Sequence, residues 1–114
     1  VSHKISDADF RDLADKAIRD LERAFARLAD RYDIDVDVEG GVLNISFEEG
    51  EPGRFIVSPN SSVRQVWVSA RVSSYKFDWS EDSNDFLLGA TGETLRAVMA
   101  TLTREQLGDD SVEL

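Results

Sequence analysis

The sequence predicts an α+β fold, a two-layer α/β sandwich in which two helices pack on one face of an antiparallel sheet of about six strands, in α-β(5–7)-α order. Three observations predict it. One helical apolar stripe opens the chain and another closes it, and between them apolar residues alternate with period two through short segments separated by turn residues. Strands that follow one another without intervening helices pair as hairpins, so the sheet is antiparallel, and both helices cover its apolar face. The order helix, strands, helix excludes the alternating pattern of a parallel α/β protein.

The opening stripe is Phe10, Leu13, Ala14, Ala17, Ile18, Leu21, Phe25 and Leu28, spaced by three and four residues within a helix expected between Ser6 and Tyr32. Ser6 or Asp7 can cap it, and Asp7 and Asp9 suit the positive end of its dipole. The period then changes to two. Ile34, Val36 and Val38 alternate with Asp33, Asp35, Asp37 and Glu39, a strand with one apolar face and one wholly acidic face. Gly40-Gly41 signals a tight hairpin, because both residues reach positive φ without strain. Leu43, Ile45 and Phe47 mark the second strand, which Glu49-Gly50-Glu51-Pro52-Gly53 breaks. A third strand is expected near Arg54 to Val57, with a turn over Ser58 to Ser62. A fourth runs from about Arg64 to Ala70, Ser73-Ser74 separates it from a fifth at Tyr75 to Trp79, and a short sixth covers Phe86 to Leu88. For the closing helix Thr91 offers an N-cap and Glu93 a first-turn acid. Its stripe is Leu95, Val98, Met99 and Leu102, ending before Gly108.

Length and composition narrow the function. The 114 residues suit one domain, expected over residues 6–108, with 1–5 and 109–114 as flexible termini. The absence of cysteine removes disulfides, zinc–thiolate sites and thiol nucleophiles, so any metal must take oxygen ligands or the lone His3. A net charge of −10 opposes binding to nucleic acid and to anionic membranes and favours cations and basic protein surfaces. No apolar run approaches the ~20 residues that span a bilayer. One histidine makes no triad, and no phosphate-loop or dinucleotide pattern is present, so an enzyme is not expected.

Two constellations remain. In the first, Asp33, Asp35, Asp37 and Glu39 stand roughly 6–7 Å apart on one strand face, which suits a hydrated, weakly held hard cation. The same row also serves as a solvated edge whose charge prevents edge-to-edge pairing. The helix acids are interleaved with bases at ion-pair spacing, Asp12 with Lys16, Asp15 with Arg19, Asp20 with Arg23 and Asp30 with Arg27. Glu22 has Ala26 at i+4 and is the helix acid placed nearest a cation. The second constellation is Gln65-Val66-Trp67-Val68-Ser69. If Val66 and Val68 point inward, Gln65, Trp67 and Ser69 share the other face, where an aromatic among polar groups anchors partner proteins. If both sheet faces are covered, Trp67 is core.

Specific segments resemble the frataxin family, known as CyaY in bacteria. They are Asp9-Phe10-Arg11-Asp12-Leu13-Ala14-Asp15, the acidic strand with its glycine pair from Asp33 to Leu43, Gln65-Val66-Trp67-Val68-Ser69, Tyr75-Lys76-Phe77-Asp78-Trp79, and Gly92-Glu93-Thr94-Leu95, in family order. The resemblance implies the same fold and weak binding of ferrous or ferric iron on an acidic ridge, here Glu22, Asp33, Asp35 and Asp37. It also implies contact with the cysteine desulfurase and iron–sulfur scaffold protein through that ridge and through Gln65 and Trp67. A monomer is expected, with oligomers only if iron induces them, in the bacterial cytoplasm or, alternatively, the mitochondrial matrix. A weak ferroxidase activity would follow from the resemblance but not as the main role. The chain departs from the family pattern late in the first helix, where Arg23, Ala26, Arg27 and Arg31 replace clustered acids, and at Ser58, Ser73-Ser74 and Phe86. The competing reading is an acidic protein-interaction module whose metal binding is incidental.

Overall fold

The computed structural model describes residues 5–48 and 52–114. Its elements are α1 (Asp7–Leu28), β1 (Ile34–Glu39), β2 (Val42–Phe47), β3 (Gly53–Asn60), β4 (Gln65–Ala70), β5 (Ser73–Ser80), β6 (Asp85–Leu88) and α2 (Leu95–Leu107). The expectations placed on His3 and on Glu49-Gly50-Glu51 lie outside the described residues. The six strands form one antiparallel meander in the order β1-β2-β3-β4-β5-β6. α1 lies across β1, β2 and β3, and α2 lies beside β6. Both helices therefore cover one face, as the alternation predicts. No helix among the described residues is long and apolar enough to cross a membrane.

The core sits between the layers. Phe10, Phe25, Phe47, Phe55, Phe77 and Phe86, all six phenylalanines of the chain, are buried. Phe10 meets the edge of Phe86 at 6.1 Å, and Trp79 meets Phe86 at 5.1 Å, so a half-buried tryptophan closes the β5–β6 end of the core. Ser6 caps α1 by accepting the Asp9 N–H at 3.1 Å. Glu39 pairs with Val42 across Gly40 and Gly41, whose φ values of 60° and 80° form the expected tight hairpin.

Four expectations are corrected. β3 continues through Asn60, so Ser58 belongs to a strand. Pro59 is tolerated there because the β2 pairing stops at Val57 and leaves β3 with a single neighbour. The β4–β5 turn is made by Arg71 and Val72, with φ of 50° and 63°, while Ser73 and Ser74 pair with Ala70 and Ser69. Serines resemble a turn by composition, yet the register closes two residues earlier. The N-cap of α2 is Thr94, which accepts the Ala97 N–H at 3.1 Å. Thr91 instead accepts the Glu93 N–H within the preceding loop, where Gly92 has φ 75° and Thr94 bridges to Leu87.

The fourth correction concerns residues 109–114, expected to be flexible. Val112 is 1% exposed and belongs to the core. Arg104 Nε donates to the Val112 carbonyl at 2.8 Å, Arg96 Nε donates to the Leu114 carbonyl at 2.8 Å, and Tyr32 donates to the Asp109 carboxylate. Buried Val112, half-buried Leu114 and three polar contacts hold a segment whose two apolar residues are too few to show a period.

Candidate functional site

β1 is an edge strand, bonded to β2 on one side only. Its inward residues grade from buried Ile34 to half-buried Val36 and Val38, while Asp35, Asp37 and Glu39 are exposed. Asp33, also exposed, precedes the strand, and its carbonyl accepts the Glu48 N–H at 3.1 Å, which fixes where the acidic row begins. Opposite Asp35 and Asp37 stand Ser46 and Asn44, and Arg54 follows beyond Ser46 in the same row. The acid face thus has a neutral second strand and a base on the third. A shallow groove lined by Asp35, Asp37, Glu39, Asn44, Ser46 and Arg54 runs along it.

The row is not a chelating cage. Among the described residues no three His, Cys, Asp or Glu side chains converge closely enough to hold a metal ion. Successive carboxylates at strand spacing repel by about 0.6 kcal/mol per pair in water, a small tension that a hydrated cation or a basic surface would relieve. Glu22 is half-buried on α1.

Of the other five acids of α1, Asp7, Asp15 and Asp20 are engaged in ion pairs. Asp15 accepts from Arg19 at 2.9 Å and Asp20 accepts from Arg23, two of the four pairs that the spacing predicts. Arg11 pairs with Asp7 at 3.1 Å instead, and Asp12–Lys16 and Asp30–Arg27 are not among the ion pairs of the described residues. The bond to Asp15 raises the Arg19 pKa further.

The second constellation lies on the outer sheet face. Val66, Val68 and Ala70 are buried, which turns Gln65, Trp67 and Ser69 outward, and Trp67 is 37% exposed. The indole is held by two neighbours, one of them fixed in turn by a third. Its Nε1–H donates to Gln65 Oε1 at 3.0 Å, Gln65 in turn donates to Asp78 Oδ1 at 3.2 Å, and Lys76 Nζ stands 4.8 Å from the ring centroid. Ser58 is its register partner on β3. Lys76 and Asp78 are members of this cluster that the sequence reading missed. The alternation of β5 turns them outward, but only the β4–β5 register sets them beside Trp67 and Gln65.

The molecule is therefore an α+β sandwich with a carboxylate edge and, on the adjoining outer face, an oriented tryptophan. The chain belongs to the frataxin family: residues 3–109 match the family model of the frataxin-like domain. It is 36% identical over 107 residues to the iron–sulfur cluster assembly protein CyaY of Stutzerimonas stutzeri, covering 92% of each chain. It is also 36% identical over 108 residues to the protein of that name from Pseudomonas aeruginosa, covering 93% of this chain and 94% of the other. A solved frataxin from Psychromonas ingrahamii superposes with a TM-score of 0.80 over 96% of this chain and 97% of that one. At 19% identity that likeness concerns the fold.

Proposed function

We propose that this chain serves iron–sulfur cluster assembly in the bacterial cytoplasm by binding and performs no bond chemistry of its own. The supporting relatives carry the cluster-assembly name, and they are bacterial. The observation that carries the reading to this chain is the exposed row Asp35, Asp37 and Glu39 on an unpaired strand edge, preceded by exposed Asp33. Oxygen donors in a row, with no converging set, suit iron as a loosely held, largely hydrated cargo and do not suit a tightly chelated cofactor. The same row presents a negative strip to a basic partner, and Trp67 supplies an apolar anchor already held by Gln65 and Lys76. The partners in this reading are the cysteine desulfurase and the cluster scaffold protein.

A second reading, an acidic docking module with incidental metal binding, is favoured by one feature. Arg23 and Arg19 occupy two helix acids, and Arg54 lines the acidic groove, which leaves few carboxylates for iron. An anaerobic ferrous titration followed by backbone NMR separates the two. Broadening confined to Glu22 and to Asp33 through Glu39, abolished when Asp33, Asp35 and Asp37 become Asn, supports iron handling. If iron leaves those signals unchanged while a desulfurase shifts Trp67 and its neighbours, the docking module stands and the iron role falls. If neither iron nor desulfurase perturbs either surface, both readings fail.

A further inference from the structure

The two edges of the sheet are finished differently. On β6 the Leu88 N–H donates to the Glu93 carbonyl at 2.8 Å, Leu87 bridges to Thr94, and the Phe86 N–H donates to Asp85 Oδ1 at 2.8 Å. That edge is closed. On β1 the Asp33 carbonyl accepts the Glu48 N–H, and the register carries this hydrogen-bonded parity on to Asp35–Ser46, Asp37–Asn44 and Glu39–Val42. The backbone of Ile34, Val36 and Val38 therefore turns away from β2. The Ile34 N–H returns to the Tyr32 carbonyl at 2.9 Å, while Val36 and Val38 make no backbone bond beyond the ladder among the described residues.

We propose that β1 accepts an extended basic segment of a partner protein as a seventh strand, with Lys or Arg alternating with apolar residues, antiparallel like every other pair in the sheet. Strand addition of this kind rests on the reading of the acidic row as a docking strip and gives that docking a geometry. Each part of the partner answers a feature of the edge. The free N–H and C=O groups of Val36 and Val38 call for backbone groups at every second residue, which an extended chain supplies. On the outer face Asp35, Asp37 and Glu39 are exposed and make no ion pair among the described residues, so cationic residues suit the places opposite them. The Val36 and Val38 side chains are half-buried at the margin of the core, so apolar residues opposite them extend that margin. A second copy of this chain does not qualify, because two β1 edges paired in this way set acid against acid.

The test is a titration of the folded chain with the peptide acetyl-Lys-Val-Lys-Val-Lys-amide, followed by backbone NMR and amide hydrogen exchange. The control is the same peptide methylated on both Val nitrogens, which keeps its charge and side chains but cannot donate to the edge. The parent peptide is expected to shift the Val36 and Val38 amides and slow their exchange, and the methylated one to bind about tenfold more weakly. Asp35→Asn combined with Asp37→Asn should weaken the parent peptide severalfold and flatten its salt dependence. Because the backbone control lies in the peptide, the result stands even if that variant fails to fold. Equal binding of the two peptides would overturn strand addition while leaving charge attraction, and with it the docking reading, to the desulfurase titration. Peptide binding that bypasses Val36 and Val38 or is indifferent to Asp35 and Asp37 would also overturn it, as would no binding at all.

Discussion

Val72 is the residue whose geometry departs most from its chemistry. A β-branched, fully exposed side chain sits at φ 63° in the second position of a two-residue hairpin, where Asn-Gly is the preferred pair. Replacing Arg71-Val72 by Asn-Gly should raise stability by about 1 kcal/mol, minus the small contact of Arg71 with Gln106, and lift the thermal midpoint by a few degrees. Calorimetry checks it, and a fall in midpoint would show that the Arg71 contact outweighs the strain. Trp67 is the opposite case, strain-free and oriented. Trp67→Ala should leave the thermal midpoint within a few degrees while weakening a desulfurase complex by about tenfold or more, read by calorimetric titration. Asp109 has a pH signature. Bonds from Ser111 and from Tyr32 lower its pKa from 3.8 to about 2. A depressed carboxylate stabilises the fold fully above its unfolded value and loses that contribution as pH falls through the folded one. The stability gap between the parent and Asp109→Asn should thus be constant above pH ~4 and close between pH ~4 and ~2, measured by urea titration.

At the scale of elements, β1 trades stability for charge. Changing Asp33, Asp35 and Asp37 to Asn removes like-charge neighbours at strand spacing and should stabilise the chain by about 1 kcal/mol even as it abolishes the proposed cation binding. A stability gain without loss of cation binding would leave the row as a solubility device only. The tail is the reverse, a segment that reads as solvent-facing and acts as core. Val112→Ala should cost about 2 kcal/mol through lost burial, visible as a lower urea midpoint at unchanged slope. The parity of β1 and β4 was legible from alternate residues, because each face is written in a run of six. The burial of Val112 was not, because a single Val between Ser111 and Glu113 carries no period.

Over the whole molecule, 23 acids and 13 Lys or Arg are placed unevenly. Acids dominate the β1 edge, and bases follow the late turns of α1 and part of α2. The excess of negative charge disfavours compaction, so added salt should raise the urea midpoint of the parent, and less so that of the triple Asn variant.

By itself the sequence determined the class of fold, the glycine hairpin, the acidic strand face and the outward side of the tryptophan strand. Each of these is encoded locally, by period, by turn residues or by alternation within a few residues. Only the tertiary structure decided that Lys76 and Asp78 flank Trp67 and Gln65, that Arg71 and Val72 make a strained turn, that the tail is packed, and that Lys16, Trp79 and Arg96 share a cleft. Apart from the turn, which the β4–β5 register places, those features join residues from different elements, and their geometry follows from strand register and helix docking, which no local pattern records.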